Sequence, residues 1–331
     1  MARDSWDVIV AGGGPAGLSA ALLLGRSRRR VLVIDEGMPR NRFAAHAHGV
    51  LGQEGVPPRE LLARGRAEAA GYGVEFADGV AARVEREEDG LRVVTADGVV
   101  RTARALIAAT GIGDELPGIP GLAERWGATV LHCPYCHGWE VRDQRLGVLT
   151  TSPLGLHQAE LVRQWSDRVT VFTAGLGELA PEAERRLRSR GVVLEPAPVA
   201  AIVGEGTAID AVRLEGGREV AVDAVFTAGA PRPHDGFLAP LGLVRDETPF
   251  GSFLAVDFTG RTSDDRVWAI GNLVDPSANV PMSIGAGAFT GGAVNGALVS
   301  ADFDAAAGDA AAEDAAQASA RSVSSPRGGR P

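Results

Sequence analysis

The chain has 331 residues, enough for two domains that each bury a core, and 45% of them are apolar, an ordinary share for a globular protein. Its net charge is −9, and the basic residues are scattered among acids, which argues against a face that tracks nucleic-acid phosphates. All 33 basic residues are Arg, and without Lys there is no Schiff-base chemistry, no pyridoxal-phosphate attachment and no P-loop of the Gly-Lys-Ser/Thr kind. No apolar run reaches the roughly 18 residues of a membrane span, so no membrane passage is expected.

The apolar run Asp7-Val8-Ile9-Val10 ends in Ala11-Gly12-Gly13-Gly14-Pro15-Ala16-Gly17-Leu18, and Ser19 to Leu24 is helical in character. Strand, glycine turn and helix are the context in which GxGxxG is informative. Gly12 permits a tight turn, Gly14 lets backbone approach a pyrophosphate, and Gly17 lets the helix pack close to the strand. The helix N-terminus then offers N–H groups to phosphate. Val31 to Ile34 is the next parallel strand. Asp35 and Glu36 stand at its end, about 20 residues past the glycines, where a carboxylate accepts ribose hydroxyls.

Pro39-Arg40-Asn41 and His46 to Gly52 form a polar loop too long for a simple βα connection, which suggests a function for it. Pro57 to Gly71 reads as an amphipathic helix. Val74 to Ala105 reads as a small antiparallel meander, and Leu106 to Gly111 as a buried strand that completes one mononucleotide-binding half. Leu116 to Gly121 is a linker.

Both cysteines of the chain follow, in His132-Cys133-Pro134-Tyr135-Cys136-His137-Gly138-Trp139-Glu140. Thiols at this spacing can close into a reactive disulfide, and flanking imidazoles that exchange protons would make the pair a two-electron redox site. A structural zinc site needs further ligands, and no second CxxC exists, so no metal is expected. Cys133-x-x-Cys136-His137 also matches c-type haem attachment, but that belongs to exported proteins, and Met1-Ala2-Arg3-Asp4-Ser5-Trp6 shows no signal segment. A third reading, two cysteines merely packed in a core, fits poorly with Pro, His and Gly around them. The expected compartment is the reducing cytoplasm.

A second strand, turn and helix begins at Arg145, and here the three glycine positions fall on Thr150, Ser152 and Gly155. Cβ atoms obstruct a pyrophosphate, Pro153 removes an N–H donor, and Thr173-Ala174-Gly175 lacks the arginines that would hold a 2′-phosphate. This second nucleotide fold is expected to be empty. Strands follow at 199–203, 211–214 and 224–227, after which the chain returns to the first domain. Val267 to Asn272 reads as a strand, and Pro281 to Phe289 opens a small-residue helix whose positive end suits an electron-rich ring edge. From Asp304 the Ala/Asp/Ser/Gly/Arg tail has little to bury and is expected to be disordered. The expected fold class is α/β, with two Rossmann-like three-layer nucleotide-binding domains: residues 1–114 and 237–303 form one discontinuous domain around 115–236, and 304–331 form the tail.

The Gly12-x-Gly14-x-x-Gly17 turn, Ala109-Thr110-Gly111, the central CxxC and Gly271-Asn272 with the following helix together resemble the low-molecular-weight thioredoxin reductase family, over roughly residues 5–303. The resemblance implies a homodimeric flavoprotein with an FAD domain split around a pyridine-nucleotide domain that carries the CxxC. It also implies FAD held by Gly12, Gly14, Pro15, Ala16, Gly17, Asp35, Glu36, Arg40, His48, Thr110, Gly111, Gly271, Asn272, Ser283 and Ile284. Three positions depart from that family: His137 replaces an Asp, the second glycine motif is broken, and Asn272 stands where Asp is usual.

With those departures the pattern is similar to the dithiol oxidases of disulfide natural-product biosynthesis, of the gliotoxin and holomycin type. That resemblance implies electrons passing from a small-molecule dithiol to the disulfide, to FAD and then to O2, giving H2O2. It places Cys136 nearest the flavin, makes Cys133 the sulfur that the substrate attacks, and gives His137, with His132 as partner, the role of base. The CxxC is then expected against the flavin at rest, with a substrate pocket near Cys133 formed by the 46–52 loop, Tyr135 and Trp139. The alternatives are a thioredoxin reductase-like protein-disulfide reductase driven by NADPH or ferredoxin, and a flavin-binding protein with a regulatory thiol pair.

Overall fold

A computed structural model describes residues 5–323 of the chain. Apolar runs separated by glycine turns build the first sheet. In it β1 (Ser5–Ala11) and β2 (Val31–Asp35) run parallel, joined by helix α1 (Pro15–Arg26). Helix α2 (Pro58–Ala70) leads into β3 (Glu75–Asp78), which lies parallel to β2 with Leu32 opposite Glu75. The meander expected from Val74 therefore loses its first strand to the parallel part of the sheet. The antiparallel portion is β4 (Ala81–Glu87), β5 (Gly90–Thr95) and β6 (Val100–Ala108), and β6 returns parallel to β1. Val8, Ile9, Val10, Leu106 and Ile107 are wholly buried, as expected for strands covered on both faces.

Strand β7 (Ile112–Glu115) leaves this sheet. A second, parallel sheet is then built from β8 (Val130–Leu131), helix α3 (Pro134–His137), β9 (Leu146–Leu149), helix α4 (Leu154–Val162), β10 (Val169–Phe172), helix α5 (Pro181–Arg188) and β11 (Val193–Glu195). A three-stranded antiparallel flap, β12 (Val199–Val203), β13 (Ala211–Leu214) and β14 (Glu219–Ala221), covers one face. Strand β15 (Ala224–Thr227) then closes the order β11-β10-β9-β15-β8. The chain comes back through β16 (Ala230–Pro233), paired antiparallel with β7, so outgoing and returning segments form one two-stranded ribbon. A hairpin of β17 (Arg245–Thr248) and β18 (Gly251–Leu254) precedes β19 (Val267–Ala269), which pairs with β6 in the first sheet.

Helix α6 (Val280–Val323) packs its first half on α1, burying Val294 and Leu298 with Ala20, Ala21 and Leu24 in one core. Two expectations fail along it. The tail expected to be disordered from Asp304 continues α6 through Val323; residues 301–310 are all exposed, so alanine's helix propensity rather than burial accounts for the order there. Residues 324–331 lie outside those described. In addition, Val280–Ala310 is long and apolar enough by composition to cross a membrane, although no such run was expected, because its many Ala residues raise the mean hydropathy without forming a continuous run of bulky apolar side chains.

Candidate active site

At the first glycine turn, Gly12 has φ +104°, and a Cβ there would lie 2.4 Å from the Ala109 carbonyl oxygen. A Cβ on Gly17 would lie 1.9 Å from the Gly12 oxygen, so both positions require glycine. Gly14 faces open space and caps α1 with no side-chain hydrogen bond, and Pro15 is the first residue of the helix, leaving the N–H groups of Ala16 and Gly17 for an anion. Asp35 is oriented from behind: Gly13 N donates to its Oδ1 at 2.8 Å and Gly37 N to its Oδ2 at 3.2 Å, while Glu36 beside it is exposed. A cavity of about 190 Å³ lies there, lined by Gly13, Asp35, Gly37, Pro39, Arg59 and Phe76 among others.

The other residues expected to hold the cofactor gather around that turn. Thr110 donates from Oγ1 to the His234 carbonyl at 2.8 Å, and His234 N donates to the Gly111 carbonyl at 3.0 Å, tying the end of β6 to the ribbon that leads to the second domain. A Cβ on Gly271 would lie 3.0 Å from the Ala16 Cβ, but Gly271–Leu273 forms a 3-10 turn after β19 rather than the strand end expected. The Asn272 side chain donates to the Asp275 carbonyl at 3.0 Å and the Ala278 carbonyl at 2.8 Å, shaping the loop that delivers α6. Ser283 is buried in the first turn of α6, and the Ile284 carbonyl accepts from Ser19 Oγ at 2.8 Å, which locks α6 to α1. An uncapped helix end, a glycine turn with space above Gly14 and an oriented carboxylate fit the pyrophosphate and ribose of FAD.

Arg40 and His48 are engaged by protein partners. Arg40 donates Nε and Nη2 to the two oxygens of Asp114, at 2.8 and 2.7 Å, and Nη1 to the Pro276 carbonyl at 3.1 Å. His48 has Nδ1 at 2.7 Å from Glu54 Oε1 and Nε2 at 3.5 Å from Glu140 Oε1.

Strand β8 delivers His132, and α3 begins immediately after it, with Pro134 at its first position. Cys133 and Cys136 are joined as a disulfide, Cα atoms 5.2 Å apart, and Cys136 N donates to Cys133 Sγ at 3.2 Å. That N–H stabilises negative charge on Cys133 when the bond opens. Tyr135 and Trp139 stand 69% and 65% exposed beside the pair, Tyr135 edge-on to Trp165 and Trp139 beneath the Arg142 guanidinium. Large aromatics left in water next to a reactive disulfide offer an apolar landing for a small molecule.

The two histidines differ from the near-neutral titration expected of them. Burial, reinforced by the Arg40 charge, pushes His132 down to about 4, and its Nδ1 has no hydrogen-bond partner among the described residues. Gln158 Nε2 holds the His132 carbonyl at 2.6 Å. Burial also lowers His137; the Glu140 charge opposes the shift and the His48 charge adds to it. Both rings are therefore neutral at pH 7. His132, the more strongly depressed, is the poorer base, and His137 is the better placed to accept a thiol proton. Glu140 lay inside the quoted motif without an assigned role, and Glu54, Asp114 and Gln158 had none; only spacing within the 46–54 loop could have pointed to Glu54.

At the second turn Thr150 is 2% exposed and donates from Oγ1 to the Phe172 carbonyl at 2.8 Å. Pro153 caps α4 with no side-chain hydrogen bond. Thr173, at the end of β10, is buried with Oγ1 directed at the Glu195 carbonyl. Where the first turn has Gly12 and Gly14, this one carries the side chains of Thr150 and Ser152.

Residues 6–291 match the family model described as pyridine nucleotide-disulphide oxidoreductase. Thioredoxin reductase tcpT of Claviceps purpurea is 33% identical over 300 residues, which cover 86% of this chain and 92% of the relative. Thioredoxin reductase sirT of Leptosphaeria maculans is 31% identical over 306 residues, with the same coverage of 86% and 92%. The crystal structure of HlmI is similar with a TM-score of 0.89 and 45% identity, over 94% of this chain and 98% of that one. A match across most of the length makes the chain an FAD-binding, thioredoxin reductase-like member of the pyridine nucleotide-disulphide oxidoreductase family.

Proposed function

We propose that the protein is an FAD-dependent dithiol oxidase that closes an intramolecular disulfide in a small-molecule dithiol. The observation that carries this reading is the altered second turn: Thr150 and Ser152 stand at two of the three glycine positions, so a nicotinamide dinucleotide finds a poorer phosphate site here than at the first turn. A disulfide that is not recharged from a nicotinamide is best suited to take electrons from a substrate.

In the proposed reaction His137 removes a proton from one substrate thiol, and the thiolate attacks Cys133 Sγ. The Cys133–Cys136 bond breaks, a substrate–Cys133 disulfide forms, and Cys136 leaves as thiolate. Once His137 has passed the first proton on, it takes the proton of the second substrate thiol; that thiolate attacks the substrate sulfur of the mixed disulfide, releasing Cys133 toward the Cys136 N–H. Substrate has then lost two protons and two electrons, and the CxxC holds the electrons. FAD held at the first glycine turn would supply a two-electron acceptor for the reduced CxxC and, with O2 and the two released protons, a route to H2O2.

Anaerobic titration tests the proposal. One equivalent of a dithiol is expected to bleach the flavin, and air to restore the colour with one equivalent of H2O2; rapid bleaching by NADPH alone would overturn it. The protein is also proposed to be a homodimer: Phe258 and Phe289, rings 6.3 Å apart, are 86% and 55% exposed, with Met282 beside them at 51%, a surface suited to a second copy. Sedimentation giving only the monomer mass would remove that part.

A further inference from the structure

Each turnover of the proposed oxidase releases two thiol protons beside a half-buried imidazole, and His137 can hold only one of them at a time. Three ionisable side chains run from the residue three places beyond it to an exposed carboxylate of the 46–54 loop. Glu140 lies three residues beyond His137, close enough for its charge to act on the ring, with its side chain 41% exposed. Across the boundary between the two domains, His48 Nε2 is 3.5 Å from Glu140 Oε1, a small rotation from hydrogen-bond reach, and the His48 side chain is only 20% exposed. On its other side His48 Nδ1 meets Glu54 Oε1 at 2.7 Å, and the Glu54 side chain is 67% exposed. Gly49 N fixes the second Glu54 oxygen at 2.8 Å, so the carboxylate is positioned by its own loop.

We propose that Glu140, His48 and Glu54 form a proton-exit relay for His137, with His48 and Glu54 supplied by the FAD-binding domain. The inference rests on the dithiol reading above. When the substrate S–H bond breaks, the electron pair stays on sulfur and the proton goes to His137. It then passes to the Glu140 carboxylate, enters His48 at Nε2 while the proton on Nδ1 moves to Glu54, and leaves Glu54 to water. No electron moves along this path, and each group ends as it began after the His48 tautomer resets. Carboxylate and imidazole alternate, so each carrier meets a partner of different proton affinity. The Glu54 carboxyl is held below its ordinary range chiefly by the His48 hydrogen bond, as suits a group that must shed protons quickly at neutral pH. Further charged and titratable groups around the disulfide are His132 and the paired Arg40 and Asp114, whose charges act on it. Glu140, His48 and Glu54 are positioning residues, because they act through His137.

The test uses full-length, FAD-loaded enzyme mixed anaerobically with dithiothreitol in dilute buffer. His48→Gln is expected to slow flavin bleaching, measured per bound flavin, about tenfold, with the wild-type rate returning as free imidazole is added, whereas the wild type should be indifferent to imidazole. Glu54→Gln, at an exposed site that tolerates substitution, is expected to show the same slowing. A second readout needs no turnover: proton NMR of the imidazole Cε1–H should show the His137 midpoint falling in Glu140→Gln and rising in His48→Gln. Wild-type rates in both His48→Gln and Glu54→Gln, or a deficit that imidazole does not relieve, would overturn the relay and leave the oxidase intact. Wild-type flavin that dithiothreitol cannot bleach would overturn both.

Discussion

The chain contains the same strand, turn and helix twice, and the two copies have opposite interiors. After β1, Gly12 and Gly17 draw backbone against backbone so tightly that space is left above Gly14. After β9, Thr150 stands at the Gly12 position with its side chain bonded to the Phe172 carbonyl, and Ser152 stands at the Gly14 position. Two side chains replace the glycines that make the first turn a phosphate cradle, so the fold alone does not report which nucleotide sites a domain keeps.

Breaking the thiol pair or the first copy should have the largest consequences. Cys136→Ser leaves the FAD site untouched, so yellow protein without turnover is expected, measured as dithiol-dependent oxygen uptake; residual activity near wild type would remove the thiol pair from the mechanism. Gly17→Ala drives a methyl into the Gly12 carbonyl and should cost about 3 kcal/mol of stability along with the flavin, read from denaturant midpoints and absorbance.

The CxxC region between the copies gives the next two tests. His132 titrates at about 4 when folded, against about 6.5 in an unfolded chain. The unfolded state therefore binds more protons across that interval. Stability is expected to fall as pH drops from about 6.5 toward 4, by about 3 kcal/mol in full, and His132→Asn should flatten this slope in urea melts recorded at several pH values. His137→Asn should slow flavin bleaching by about a hundredfold through loss of the base. In the wild type the rate is expected to hold on acidification to below the usual histidine range, because burial lowers His137, and to fall only as the ring becomes protonated.

The smallest effect should come from reopening the second copy. Thr150→Gly with Ser152→Gly restores the glycine positions but supplies no arginine at the end of β10, so only weak NADPH binding is expected by calorimetry. Tight binding to the unaltered protein would erase the contrast between the copies.

What could be read from the residues was local. The Gly12-x-Gly14-x-x-Gly17 turn, the CxxC with its histidines and the loss of glycines at Thr150 and Ser152 are contiguous patterns whose chemistry depends on neighbours a few positions away. Even there the reach was limited, since Val74 to Ala105 was read as one meander while β3 joined the parallel sheet. The tail was read from its lack of bulky apolar residues, and its alanine content was given too little weight.

The sequence by itself therefore determined the two nucleotide folds, the redox pair and the asymmetry between the glycine turns, because backbone sterics and thiol chemistry act over a handful of bonds. Tertiary structure alone decided that Arg40 clasps Asp114 across 74 positions, that His48 stands between Glu54 and Glu140, and that burial makes both active-site histidines weaker bases than free imidazole. Desolvation and the approach of distant charges arise from the packing of remote segments, and no short window of residues contains that information.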